Sequence, residues 1–146
     1  MKRSRRLSVA LHVLAHLAER SRASRTSEDL ARCIGTNAVV VRRTLAGLRN
    51  AGFVSSVAGP GGGWSLARDP EEMSVGEVCT ALGERLLFAL ELGPSSTCRV
   101  QAAVSDALDG FLHDGEKLLL ERLDRVTIAS VAAQARTGAR PRAIPA

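Results

Sequence analysis

The chain has 146 residues, 45% hydrophobic but only 3% aromatic, with a mean hydropathy of +0.04. That suffices for one domain of ordinary size with a core of Leu, Val and Ala. No apolar run approaches the roughly 18–20 residues that span a bilayer, and the amphipathic start MKRSRRLSVALHVLAHLAER is not signal-like. A cytoplasmic protein with no membrane partner is expected. The net charge of +5 is unevenly distributed. Up to Arg68, twelve basic residues face three acidic ones, net +9; beyond it, eight basic residues face twelve acidic ones, net −4. A basic half joined to an acidic half points to a polyanion partner for the first half only. Cys33, Cys79 and Cys98 are widely spaced and odd in number, without a Cys-x-x-Cys pair. This excludes a zinc ribbon, a thioredoxin-type motif and a disulfide framework.

In chain order, Leu7 to Arg20 reads as a helix with Leu7, Ala10, Leu11, Leu14, Leu17 and Ala18 forming its apolar stripe. His12 and His16 stand four apart on the flank of that stripe, a spacing that can hold a metal, but no third ligand is near. The competing reading is a hydrogen-bonded or solvated flank. Arg3, Arg5 and Arg6 lie just ahead of the helix, where they can meet phosphates or form a frayed tail.

The next helix begins at Thr26, with Asp29 completing a capping-box arrangement. Leu30, Ala31 and Ile34 are its inward residues, and Gly35 supplies a left-handed stop. Thr36 or Asn37 caps the following helix at once, leaving the short connection of a helix-turn-helix. There Val41, Leu45 and Leu48 face inward, while Val39, Val40, Arg43 and Ala46 face out with Arg42 and Arg49 at the edges. Two exposed valines at a helix start fit a major groove, where apolar groups meet thymine methyls. A dimer contact is the alternative use of that pair. Arg42 and Arg43 can each read guanine or grip phosphate.

Asn50-Ala51-Gly52 ends this helix. Phe53 to Val57 and Trp64 to Ala67 read as two strands joined by the glycine-rich loop 58–63. The loop lacks the Gly-Lys-Ser/Thr ending of a phosphate-binding enzyme loop, and a strand follows it rather than a helix. So many glycines suggest that the backbone at Gly61, Gly62 and Gly63 approaches another molecule closely. Asp69-Pro70 breaks the hairpin, and Ser74 caps a short helix carrying Val75, Val78, Cys79 and Leu82. Leu86 to Leu92 is an apolar packing segment, and Gly93 to Thr97 a linker loop.

From Arg99 to about Arg125 a long helix presents Val100, Val104, Leu108, Phe111, Leu112, Leu118, Leu119 and Leu123 as a wide apolar stripe. A chain this short cannot bury both faces of such a helix. Pairing with a second copy through Val104, Leu108, Phe111, Leu112, Leu118 and Leu119 is expected, as a two-fold homodimer. Gly110 and Gly115 cost helix stability there unless they admit another helix. Thr127 caps a last segment from Ile128 to Gln134, and the Pro- and Arg-rich end is expected to be disordered. The fold class is therefore mainly α with a small β-hairpin. A winged helix-turn-helix domain (residues 1–70) precedes a helical dimerisation and sensing region (71–135) and a tail (136–146).

These segments carry a resemblance. LARCIGTNAVVVRRTLAGLRNAGFV and GPGGGWSLARDP, with a Cys at the head of a long helix and a closing Thr-Ile-Ala, are similar to the Rrf-two family of bacterial winged-helix transcription regulators, from about Leu7 to Gln134. The resemblance implies a homodimeric binder of double-stranded DNA, usually a repressor, on a pseudo-palindromic operator. Cluster-binding members carry three Cys around the loop before the long helix; here only Cys98 stands there, which places the chain in a single-Cys branch with no cofactor. An iron–sulfur-dependent regulator is the alternative, with His12 of a second chain the remaining donor. Related wings also often carry an arginine where this chain has Ala58.

The expected DNA-contacting residues are Arg6, Thr36, Asn37, Val39, Val40, Arg42, Arg43, Gly61, Gly62 and Gly63. Cys98 is a candidate redox sensor, because a helix N-terminus and the adjacent Arg99 favour a thiolate. An architectural DNA-binding protein without a sensor is the second reading. An enzyme is not expected, since Tyr is absent and no catalytic set is suggested by local pattern.

Overall fold

A computed structural model describes residues 5–19, 24–84, 86 and 98–138. Its helices are α1 (Arg5–Glu19), α2 (Ser27–Ile34), α3 (Ala38–Asn50), α4 (Val75–Ala81), α5 (Arg99–Leu123) and α6 (Ile128–Arg136), with a 3-10 turn at Pro70–Glu72. Strands β1 (Val54–Val57) and β2 (Gly63–Leu66) pair antiparallel, with Val54 opposite Leu66 and Val57 opposite Gly63. The mainly helical class with a small hairpin, and the order of a winged helix-turn-helix, are as expected.

Local chemistry sets the helix-turn-helix. The Thr26 hydroxyl accepts from the Asp29 N–H at 3.1 Å. Asp29 returns no bond to the Thr26 backbone; its carboxylate accepts from that same hydroxyl at 2.8 Å, so this is a simple cap rather than the box expected. The full capping box lies at Ser74 and Glu77 instead. Gly35 ends α2 at φ 72°, a left-handed position that a Cβ disfavours. Asn37, not Thr36, caps α3, accepting from the Val40 N–H at 2.9 Å.

The core gathers Leu30 and Ala31 of α2, Val41, Leu45 and Leu48 of α3, Phe53 and Val54 beside the hairpin, and Met73, Val75, Val78, Cys79 and Leu82 around α4. Ile128 of α6 completes it. The α1 stripe differs from expectation. Val9, Ala10, Val13, Leu14 and Leu17 are buried, while Leu7, Leu11 and Ala18 are half-buried at its edge. α1 packs against α6 as well as α3, so it buries two adjacent rows of residues instead of one. Thr44 is also buried, its hydroxyl satisfied by the Val40 carbonyl at 3.0 Å. Buried polar groups need such a partner.

α6 is joined to α4 by short backbone bonds: Val75 N–H to Val126 O at 2.9 Å and Ile128 N–H to Met73 O at 2.8 Å. The Ser74 hydroxyl donates to Asp124 at 3.0 Å, and Gly76 lies so close to Asp124 that a Cβ has no room. The end of α5 is thereby fixed to the helix-turn-helix core. Leu86 is half-buried against that core and donates its N–H to Glu116 at 3.0 Å. The rest of the expected packing segment, the linker at 93–97 and the tail beyond Gly138 lie outside the described residues. α6 reaches Arg136, two residues beyond Gln134.

Candidate nucleic-acid interface

α3 presents its first turns outward because Val41, Leu45 and Leu48 commit its other face to the core. Val39 is 61% and Val40 39% exposed, a clear cost for apolar groups in water. Arg42 and Arg43 separate here. Arg42 donates to the Ala38 carbonyl at 3.3 Å and pairs with Glu28 at 3.2 Å. The other ion pairs among the described residues involve His16, Arg32 and Arg68, so Arg43 has no carboxylate partner there.

A groove of about 940 Å³ runs beside this helix start. Arg5, Arg6, Ser8, Val9 and His12 of α1 form one wall, and Thr36, Asn37, Val39, Val40 and Arg43 line the other. Arg6 borders it, but its guanidinium donates to the Leu82 carbonyl at 3.2 Å and lies against Gly47. Arg6 thus ties α1 to the end of α4, a contact that no local pattern foreshadows. Ser8 and His12 are not among the DNA-contacting residues expected from sequence, although i, i+3, i+7 spacing from Arg5 puts all three on one face. His12 stacks on His16 with ring centroids 5.6 Å apart, and His16 Nδ1 lies 3.2 Å from Glu19 Oε2.

The hairpin is held from within. Arg25 and Trp64 exchange two backbone hydrogen bonds, at 2.9 and 2.8 Å. The Trp64 indole N–H donates to the buried Ser27 hydroxyl at 3.0 Å, and the Arg49 guanidinium lies 5.8 Å from the Trp64 ring. The segment before α2 therefore forms a third edge to the hairpin. This supplies an internal reason for two of the glycines. A Cβ at Gly62 would collide with the Val57 carbonyl, and one at Gly63 would stand 2.7 Å from the Arg25 carbonyl. Gly61, at φ 74°, has nothing within 4 Å of such a Cβ.

None of the three cysteines lines the groove beside α3. Cys98 is the exposed N-cap residue of α5, and the backbone N–H groups of Gln101 and Val100 hold its thiol below the ordinary range. Cys79 lies in the core, where burial, then the Glu84 and Asp124 carboxylates, push its thiol up. Cys33 is exposed on α2.

An outward helix start next to a braced hairpin, on the basic half of the chain, defines a winged helix-turn-helix DNA-binding regulator. The comparisons agree. The family model Rrf2, iron-dependent transcriptional regulator, matches residues 3–134, and the chain belongs to that family. It is 38% identical over 127 residues to YwnA of Bacillus subtilis (strain 168), assigned as an HTH-type transcriptional regulator, covering 86% of this chain and 93% of that one. It is 33% identical over 94 residues to the HTH-type transcriptional regulator IscR of Escherichia coli (strain K12 / DH10B), covering 59% and 58%. The structure of CymR, the global cysteine regulator of B. subtilis, shares the fold with a TM-score of 0.63 at 21% identity, over 91% of this chain and 97% of that chain. The protein is thus a DNA-binding transcription regulator and not an enzyme. Among the described residues no helix is long and apolar enough to cross a membrane.

The family description implies iron, and the donor set of this chain does not fit it. Only three Cys exist. Cys79 is fully buried among apolar side chains, Cys33 sits on α2, and Cys98 heads α5. Among the described residues no three His, Cys, Asp or Glu side chains gather at metal-holding distance. A cluster needs a set of neighbouring thiolates.

Proposed function

We propose that the protein is a cytoplasmic homodimeric repressor that reads a pseudo-palindromic operator and responds to thiol-reactive signals through Cys98. The observation that carries the dimer is α5. None of its 25 residues is buried, while Val104, Phe111, Leu118 and Leu119 are 44%, 74%, 63% and 37% exposed. Leu108 and Leu112 are half-buried on the same helix. An exposed apolar face of this size marks an interaction surface. Two-fold pairing there would set two α3 helices about one DNA turn apart, roughly 34 Å. Each would read bases through Val39, Val40 and Arg43, with Thr36, Asn37 and Arg42 on phosphates and Gly61 at the tip of the wing. Sedimentation equilibrium tests the pairing: a mass of two chains supports it, and a single-chain mass at micromolar concentration contradicts it.

Sensing at Cys98 is supported by its exposure and its lowered thiol pKa, which keeps more of the nucleophilic thiolate at neutral pH. α5 runs about 39 Å from Cys98 to its fixed end at Asp124, so a change at its head can alter the separation of the two recognition helices. The expected outcome is that mild peroxide weakens operator binding by the wild type but not by Cys98→Ser. The thiolate is lost as pH falls, so the oxidation rate should drop on acidification. An equal oxidant response of Cys98→Ser would remove this residue from the mechanism.

A further inference from the structure

We propose that the groove between α1 and α3 seats a sugar–phosphate strand of the bound DNA, with Arg5, Ser8 and His12 of α1 as its phosphate-contacting lip. This rests on the reading of α3 as the base-reading helix. The first support is charge. The groove is lined by Arg5, Arg6, His12 and Arg43 with no carboxylate, in a chain that also carries fifteen acidic residues. Arg6 is committed to the Leu82 carbonyl, so Arg5 is the α1 cation left for an external anion. It forms none of the ion pairs among the described residues.

The second support is arrangement. Arg5, Ser8 and His12 share one face of α1 and are exposed. They offer a guanidinium, a hydroxyl and a ring N–H, donors that DNA backbones recruit. Stacking on His16, itself held by Glu19, fixes the plane of the His12 ring and reduces the ordering cost of a contact. The third support is place. The groove is continuous with the exposed Val39, Val40 and Arg43, so a strand lying in it borders the major groove that α3 enters. α1 thereby adds a phosphate grip to an interface whose wing carries Ala58 in place of a basic side chain.

The test measures binding of the full chain to two duplexes between 50 and 200 mM salt. One duplex is selected from a randomised library, and the other is a scrambled sequence of the same length. Arg5→Ala should weaken both by a similar factor and lower the slope of log affinity against log salt by about one. His12→Ala should weaken both several-fold with the slope unchanged, and Arg5→Lys should restore the slope. Circular dichroism checks that each variant is folded. Wild-type affinity and slope in both alanine variants would overturn the proposal. So would a changed sedimentation mass without a changed slope, which would mean that a second copy occupies the groove. Arg43→Ala separates the two failures: if it alone destroys the preference for the selected duplex, only the groove assignment falls. If it leaves that preference intact, the α3 reading falls with it.

Discussion

Phe111→Asp should yield a folded monomer that binds a palindromic operator about 10²–10⁴-fold more weakly than the wild type. Phe111 is 74% exposed, so its loss takes little from the core of one chain; surface changes of this kind usually alter stability by within about 0.5 kcal/mol. In the proposed dimer it lies on the apolar face of α5, where two buried carboxylates without partners would oppose pairing strongly. The loss follows from linkage. Two recognition units joined through α5 bind the second half-site as an intramolecular event, and separating them removes an avidity of roughly that size. Gel filtration, thermal melting and operator titration read the three quantities separately. A dimeric Phe111→Asp chain with wild-type affinity would move the interface off α5.

Gly63→Ala should destabilise the fold by about 2–4 kcal/mol, combining a strained conformation with overpacking. Gly63 has φ 148°, which side chains rarely adopt, and the added methyl would meet the Arg25 carbonyl oxygen and carbon at 2.7 and 2.9 Å. Both are backbone atoms, so no rotamer change relieves the contact. The relief available is separation of β2 from the segment at Arg25, which breaks the paired Arg25–Trp64 bonds and draws the Trp64 indole from Ser27. Gly61→Ala makes the contrast. It has φ 74° but open space around the methyl, so its cost should be limited to about 1–2 kcal/mol of backbone strain. Urea denaturation compares the two. Equal midpoints would mean that the hairpin is not braced from within.

The helix-turn-helix was legible because its signals are local. Thr26, Gly35 and Asn37 act at the positions they occupy in the chain, and Val41, Leu45 and Leu48 follow a helical period read directly. What escaped is non-local or polar. Val9 and Val13 belong to a second buried row of α1, a helix that packs against both α3 and α6. Thr44 is invisible to a hydrophobic pattern, since its hydroxyl is paid for by its own helix. The bond from Arg6 to Leu82 spans 76 positions, and the Trp64–Ser27 bond spans 37. No spacing rule covers either. The glycine-rich loop suggests a backbone approaching another molecule, and Gly62 and Gly63 also have close neighbours within the protein itself. The candidate site was therefore half legible: α3 from pattern, its neighbours on α1 only from tertiary structure.

If the start of α3 reads DNA sequence, competition at physiological salt will reveal it. A duplex selected from a randomised library should hold the wild-type protein at least about 10³-fold more tightly than a scrambled duplex. Arg43→Ala should lower affinity for the selected duplex by at least about 1 kcal/mol, roughly fivefold, and shrink that preference. Equal affinity of the wild-type protein for the two duplexes would mean that α3 does not read sequence and that the protein is an architectural DNA binder.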